Sequence, residues 1–336
     1  TLYFLARKGI KATLIEREEV ACAASGHAGG FLARGWGDDV TEQLHHQGYQ
    51  VHEELAKELG ISSYRKLPTV NVGRRGKPPV PWLDRAKGSV MDTDTAHVNP
   101  AEITTAMADW AVGQGATVTK ATATGVRMAE GKVAAVQTTA GEVPCDFVVF
   151  ALGPWAVLVE RWLPGVRVPM QGIRSTSMLF RRETPVTPPA VLFCEEDDYG
   201  CHLEVNPRVD GSIYVCGCGG SAYLNEAELA ALPPADVVAD PARVEVALAS
   251  LRAKTSLVDG DKPEGHACIR PCPPDGRPLI GFVAENAVLA AGHNCWGILW
   301  GPVTGRVAAA LVTGGDPGVD LRAFDPARFW QKQAKR

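Results

Sequence analysis

The chain has 336 residues, 46% of them hydrophobic, and a formal net charge of -4 with both signs mixed along its length. That is enough for a large core in one or two domains, and without a basic block it excludes a nucleic-acid-binding reading. Nine cysteines, Cys22, Cys145, Cys194, Cys201, Cys216, Cys218, Cys268, Cys272 and Cys295, show no regular spacing. An odd, scattered set argues against a disulfide framework and for a reducing compartment, cytoplasm or organelle matrix; no paired spacing suggests zinc.

Residues 1–17 (TLYFLARKGIKATLIER) read as the tail of a helix, a stop at Gly9 and a buried strand closed by Glu16. Leu2 and Leu5 stand one helical turn apart, and the apolar run 12–15 suits a strand covered on both faces. No signal peptide is recognisable, and a targeting segment lost from the start stays open. Residues 40–59 predict an amphipathic helix with Leu44, Val51, Leu55 and Leu59 on one side, His45 and His46 on the polar side, and Gly60 as the stop. Asn99-Pro100-Ala101-Glu102 reads as a cap, a proline at the first helical position and an acid in the first turn, with Ile103, Met107 and Trp110 on the apolar face.

Strands follow at 116–120, 124–128 and 133–138, with a turn at Gly131, and 146–152 reads as a buried strand ending in Gly153-Pro154. Residues 170–215 alternate and carry turns such as Asp210-Gly211, which predicts an antiparallel sheet. Residues 224–257 look helical with a break at Pro233-Pro234. The chain then returns to a buried strand at 288–291, a glycine turn over 292–301 and a helix to 312. The uncharged stretch 287–305 holds His293, Asn294, four glycines and Pro302, so no membrane span is expected from it. The pattern is α/β, interrupted by an antiparallel block, and predicts two discontinuous domains.

Five segments point to chemistry. Glu16 closes a strand where a nucleotide-binding βαβ unit places the acid that accepts the ribose hydroxyls; an ordinary strand-end acid is the other reading. The loop Ala23-Ala24-Ser25-Gly26-His27-Ala28-Gly29-Gly30 lets backbone approach a ligand closely, or is a plain irregular loop. Ala151-Leu152-Gly153-Pro154-Trp155 is a glycine turn at a strand end, where open α/β sheets bind ligands. The last two are CIRPCPPDGRPLIG at 268–281 and GHNCWGILWGPVTG at 292–305.

Together, and in this order, these segments resemble the D-amino-acid oxidase superfamily of FAD-dependent oxidoreductases, which includes glycine oxidase and sarcosine oxidase. The stretch AASGHAGGFLARGW is similar to a fungal and plant subgroup of poorly defined substrate. The most specific part is the C-terminal pair of motifs, RPxxPDGxPLIG and GHxxxGIxxGPxTG. The resemblance implies a Rossmann-like FAD-binding domain from 1–60, 97–168 and 265–336. It implies an α+β substrate domain with an antiparallel sheet from 61–96 and 169–264. It also implies oxidation of a small carboxylate-bearing amine by hydride transfer from its Cα to flavin N5, without a protein base.

By the same resemblance, Glu16 would hold the adenosine ribose, and Ser25, Gly26 and Gly30 would line the pyrophosphate and flavin. Ala123 would meet the adenine side, and Ala151 and Gly153 would close over the cofactor. Gly292, Asn294, Cys295, Trp296, Gly297 and Ile298 would run beside the isoalloxazine, where oriented N–H groups stabilise the charge of a reduced flavin. Arg270 matches the position that binds the substrate carboxylate, and a structural salt bridge is its other reading. Cys268 falls where sarcosine oxidases bind flavin covalently, and a small buried cysteine is its other reading. His293 would orient the glycine turn. Tyr199 and Tyr214 sit in the region where such enzymes present a tyrosine, but in no motif, so ordinary packing is expected of both.

The family pattern opens with a strand and GxGxxG, which this sequence does not contain. That strand would be central in the parallel sheet, and its loss would leave buried backbone groups unpaired at a few kcal/mol each. Three explanations stay open: a clipped sequence, a protein partner that completes the sheet, or a structural subunit without flavin. Two functions follow, an FAD-dependent amine or amino-acid oxidoreductase and a non-catalytic flavoprotein-like subunit of a larger complex. Crowding of the pocket by Trp296 and Trp300 would favour the second.

Overall fold

In the computed structural model, which describes residues 1–330, helix α1 (Leu2–Arg7) leads into strand β1 (Thr13–Glu16), the helical turn α2 (Ala24–His27) and strand β2 (Phe31–Ala33). The long helix α3 (Glu42–Leu59) ends at Gly60, which takes a left-handed φ of 65° and donates its N–H to the Ala56 carbonyl. His45 is not on a polar side. It is 1% exposed, and its Nδ1 lies 2.8 Å from the Ala33 carbonyl. The buried face of α3 is wider than its leucine stripe because α8, below, packs along it, and Trp300 of that helix and Trp296 just before it meet the imidazole. His46, one residue on, is the exposed one.

Strands β3 (Arg65–Lys66), β4 (Thr69–Gly73), β5 (Lys87–Asp92) and β6 (Thr95–His97) precede helix α4 (Pro100–Gly113). Asn99 caps α4, its Oδ1 accepting the Ala101 N–H at 3.1 Å. Glu102 reaches out of the first turn to the N–H groups of Ser62 and Ser63. Then come β7 (Thr117–Lys120), β8 (Ala123–Ala129), β9 (Lys132–Thr138), β10 (Gly141–Pro144) and β11 (Val148–Phe150), shorter than the expected 146–152, and helix α5 (Val159–Trp162).

The remaining strands are β12 (Gln171–Phe180), β13 (Val191–Cys194), β14 (Glu204–Pro207), β15 (Ile213–Cys216) and β16 (Ala222–Leu224). Helices α6 (Glu226–Ala231) and α7 (Pro241–Arg252) flank the proline break. Strands β17 (Glu264–Cys272), β18 (Leu279–Ala284) and β19 (Ala287–Ala291) lead to helix α8 (Gly297–Val312).

Eight strands make the large sheet, in the order β16-β12-β15-β14-β13-β4-β5 with β17 on β12. Its pairs are antiparallel except β13 with β4. Alternation splits its faces. Val70, Val72, Met178, Leu192, Val205 and Val215 enter one core with Leu248 and Leu251 of α7. The opposite face carries polar groups, because the register sets Glu204 against Cys216 and Ser175 against Cys268.

The parallel pairs are β1–β7 and β11–β19, in separate sheets. The expectation that β1 is covered on both faces is not met: Thr13 is exposed and the rest half-buried, since β7 is its one strand neighbour among the described residues. Asn294–Val312 is long and apolar enough to cross a membrane, but Leu299, Val303 and Val307 are buried in a core shared with α1 and α3.

Candidate active site

Strand β19 is buried along its whole length and delivers the chain to Gly292, at φ 79°. A Cβ there would come 2.6 Å from Pro273 Cγ, so the turn can pack on the 268–281 segment because residue 292 is glycine. Asn294 takes a left-handed φ of 50°, and its Oδ1 accepts the Cys272 thiol at 3.3 Å. His293 Nε2 lies 3.0 Å from Thr304 Oγ1 and fastens the turn to α8. Burial pushes the His293 pKa down to about 4, so the ring is neutral at physiological pH.

Among the described residues no side chain caps the turn at Asn294–Trp296 or the N-terminus of α8. The leading N–H groups of α8 therefore lack side-chain acceptors, and the helix dipole adds positive potential there. This is a seat for negative charge. Beside Gly297, an added Cβ would meet nothing nearer than His293 Cβ at 3.7 Å.

Strand β11 runs parallel to β19, with Phe150 opposite Leu289, so Gly153 and Gly292 emerge at the same end of adjacent strands. Gly153 has φ 55° with open space where a Cβ would stand, and Ala151 is exposed. In the loop before β2, Gly26 packs on the Ala21 carbonyl and Gly30, at φ 87°, on the Val98 carbonyl; a Cβ would lie 2.0 Å and 1.9 Å from those oxygens. Both glycines are thus required by the loop's own folding. Ser25 is exposed, and its carbonyl accepts from Thr104 Oγ1 at 3.0 Å.

Glu16 and Ala123 form a separate group at the end of the β1–β7 pair, where the Ala121 N–H bonds to the Glu16 carbonyl at 2.9 Å. Glu16 Oε1 accepts the Glu18 N–H at 3.0 Å, and its other carboxylate oxygen has no partner among the described residues.

Arg270 stands on β17 opposite Ile173, with Cys216, Glu204, Cys295 and Cys268 as its titratable neighbours. Burial pulls its pKa down, but Cys216 and Glu204 act against this and the net shift is upward, so it stays charged. Among the described residues the guanidinium makes no ion pair and donates to no acceptor. Cys268 lines a cavity of about 250 Å³ together with Cys22, Ala24, His27, Trp155 and Ile269. Burial raises the Cys268 thiol pKa, with Arg270 acting the other way.

Tyr214 is a core tyrosine, as expected, with a long-range contact besides. It is 4% exposed on the polar side of the large sheet, and its hydroxyl donates to the His27 carbonyl at 2.6 Å. Its place on one face with Cys216 follows from strand alternation, but its partner 187 residues away does not. Glu204, which no motif marks, shares that face. Tyr199 is 46% exposed. Trp296 is half-buried at the site, whereas Trp300 is turned into the core.

A family profile described as FAD dependent oxidoreductase matches residues 1–311. The chain belongs to this family. Among curated relatives, the D-amino-acid oxidase of Bradyrhizobium diazoefficiens is 28% identical over 246 residues, covering 69% of this chain and 52% of that protein. The glycine oxidase of Pseudomonas putida is 30% identical over 210 residues, covering 60% and 51%. The chain spans about half the length of these relatives. The crystal structure of glycine oxidase from Geobacillus kaustophilus has the same fold, with a TM-score of 0.82 at 19% identity over 97% of this chain and 94% of that one.

The family is FAD-dependent, and the residues present fit that cofactor. The uncapped start of α8, the open space beside Gly153 and Gly297, and the unpartnered carboxylate oxygen of Glu16 suit a flavin ring at one end and a ribose at the other.

Proposed function

We propose that this chain binds FAD and oxidises a small amino acid or related amine whose carboxylate rests on Arg270. The observation that carries the proposal is the free Arg270 guanidinium, half-buried beside the glycine turn and without an acceptor among the described residues. A planar fork of this kind pairs bidentately with a carboxylate. When bound, FAD supplies the two-electron acceptor. The uncapped N–H groups at the start of α8 would stabilise negative charge on the ring. Phe193 and Trp296 both pack against Trp36 beside the site. His293 is neutral and engaged with Thr304, so it holds the turn in place.

Residues 1–60, 97–168 and 265–336 form the cofactor half in this reading, with 331–336 lying outside the described residues, and 61–96 and 169–264 the substrate half. The nine free thiols favour a reducing compartment.

Arg270→Ala and Arg270→Lys test the reading. Both are expected to raise KM for a carboxylate substrate about 10- to 100-fold, the range of a charge-assisted bidentate pair, with FAD content unchanged. Full affinity in the lysine variant would show that bidentate pairing plays no part.

A further inference from the structure

The polar face of the large sheet holds a second charge besides Arg270. Glu204 lies on β14, opposite Cys216 of β15 on one side and Phe193 of β13 on the other. Its single side-chain partner among the described residues is the Cys216 thiol, which donates to Oε2 at 3.4 Å. No lysine, arginine or histidine nitrogen comes within ion-pair distance of it in the described residues. Its other oxygen has no side-chain partner among the described residues and is not sealed off, so it is free to accept from a ligand.

Arg270 is close enough to feel this charge, and Cys216 has both groups as charged neighbours. The two nevertheless form no direct pair. If Glu204 served only to balance Arg270, contact between them would be expected in so restricted a space.

The wall beside Glu204 is aromatic. The Phe193 ring lies 5.0 Å from Phe31 and 5.3 Å from Trp36, and Trp36 meets Trp296 edge-on at 6.4 Å. All four rings are partly exposed, and the Trp36 indole is fixed by a 2.7 Å hydrogen bond to Asp92. A carboxylate beside aromatic faces is the chemistry that recognises an ammonium or alkylammonium group.

We infer that Glu204 selects substrates carrying a second, cationic group, held between its carboxylate and the rings of Phe31, Trp36, Phe193 and Trp296 while Arg270 holds the substrate carboxylate. The inference rests on the reading of Arg270 above. It narrows the substrate class to amino acids and amino-acid-like amines with a positive charge remote from the carboxylate.

Calorimetric titration of the full chain with two non-reacting probes, valerate and δ-trimethylammoniovalerate, whose quaternary nitrogen has no lone pair to support hydride loss, tests this without relying on turnover. The wild-type chain should bind δ-trimethylammoniovalerate at least about tenfold more tightly than valerate, a modest preference for one added cation contact. Glu204→Gln, nearly isosteric, should bind both alike, with its melting temperature reporting that the fold is kept. Phe193→Leu should lose part of the preference. Arg270→Ala should lose affinity for both probes. Equal binding of the two by wild type, or an unchanged preference in Glu204→Gln, overturns the role of Glu204 and leaves Arg270 untouched. Valerate binding that survives Arg270→Ala overturns the Arg270 reading and this inference with it, as does a wild-type chain that binds neither probe.

Discussion

The Tyr214 hydroxyl donates a 2.6 Å hydrogen bond to the His27 carbonyl, and through it the large sheet holds the glycine-rich loop. Burial raises the phenol pKa well above its ordinary value, so Tyr214 remains a donor throughout the physiological range. The loop closes over the ring, where a Cβ on Gly29 would lie 3.6 Å from Tyr214 Cε1. Arg208 stacks on it with Cζ 5.2 Å from the centroid. Tyr214→Phe keeps the packing and leaves the carbonyl without its donor. We expect a loss of about 1–2 kcal/mol in urea denaturation, together with weaker FAD uptake. Unchanged values for both would mean that the contact is incidental.

Two glycines of the site should respond differently to the same substitution. At Gly30, with φ 87°, a Cβ would stand 1.9 Å from the Val98 carbonyl oxygen, whereas Gly153 has φ 55° and nothing within 4 Å. Gly153→Ala incurs the left-handed backbone penalty alone, about 1–2 kcal/mol. Gly30→Ala adds a clash with backbone that has to move, and should destabilise by at least about 3 kcal/mol or prevent folding. Thermal melts of the two variants give the ranking, and equal losses would contradict the packing described for the loop.

Acid should loosen the cofactor side first. His97 Nε2–H donates to the Gly29 carbonyl at 2.7 Å and His52 Nε2–H to the Ile298 carbonyl at 2.8 Å, and both residues are fully buried. Burial pushes the His52 pKa down to about 4 and that of His97 to about 3, both from 6.5. The unfolded chain therefore takes up protons before the folded one does. Stability from this pair is complete above pH 6.5 and is lost as pH falls from there through the folded pKa values. Unfolding near pH 5 should take up about two protons from these residues. A stability that is flat between pH 7 and pH 5, or the same in His52→Gln as in wild type, would rule the mechanism out.

Much of this was legible in the sequence where local rules act. Asn99 and Pro100 announce the start of α4, Gly60 the end of α3, and the apolar run before Gly292 the strand that delivers the glycine turn. The site was less legible where long-range packing decides. His45 lies on the side of α3 that sequence alone assigns to solvent, because the tryptophans that cover it come from α8 and the turn before it. Tyr214 and Glu204 gain their importance from partners across the sheet, and alternation places a residue on a face without saying what that face meets.

Cys268 should not bind flavin covalently. Burial raises its thiol pKa, so it is protonated at neutral pH, and the thiol is a far poorer nucleophile than the thiolate. After acid precipitation the flavin should appear in the supernatant, and Cys268→Ala should carry as much FAD as wild type. Colour retained in the pellet would contradict this, and its loss in the alanine variant would assign the bond to Cys268.

That Arg270 holds the substrate carboxylate beside a bound flavin can be read from the visible absorption spectrum of the FAD-loaded chain, recorded while valerate is added to wild type and to Arg270→Ala. Flavin bands are expected in both proteins, with a saturable shift on adding valerate in wild type that Arg270→Ala lacks. A chain that takes up no FAD, or a shift that persists unchanged without Arg270, would contradict the proposed role.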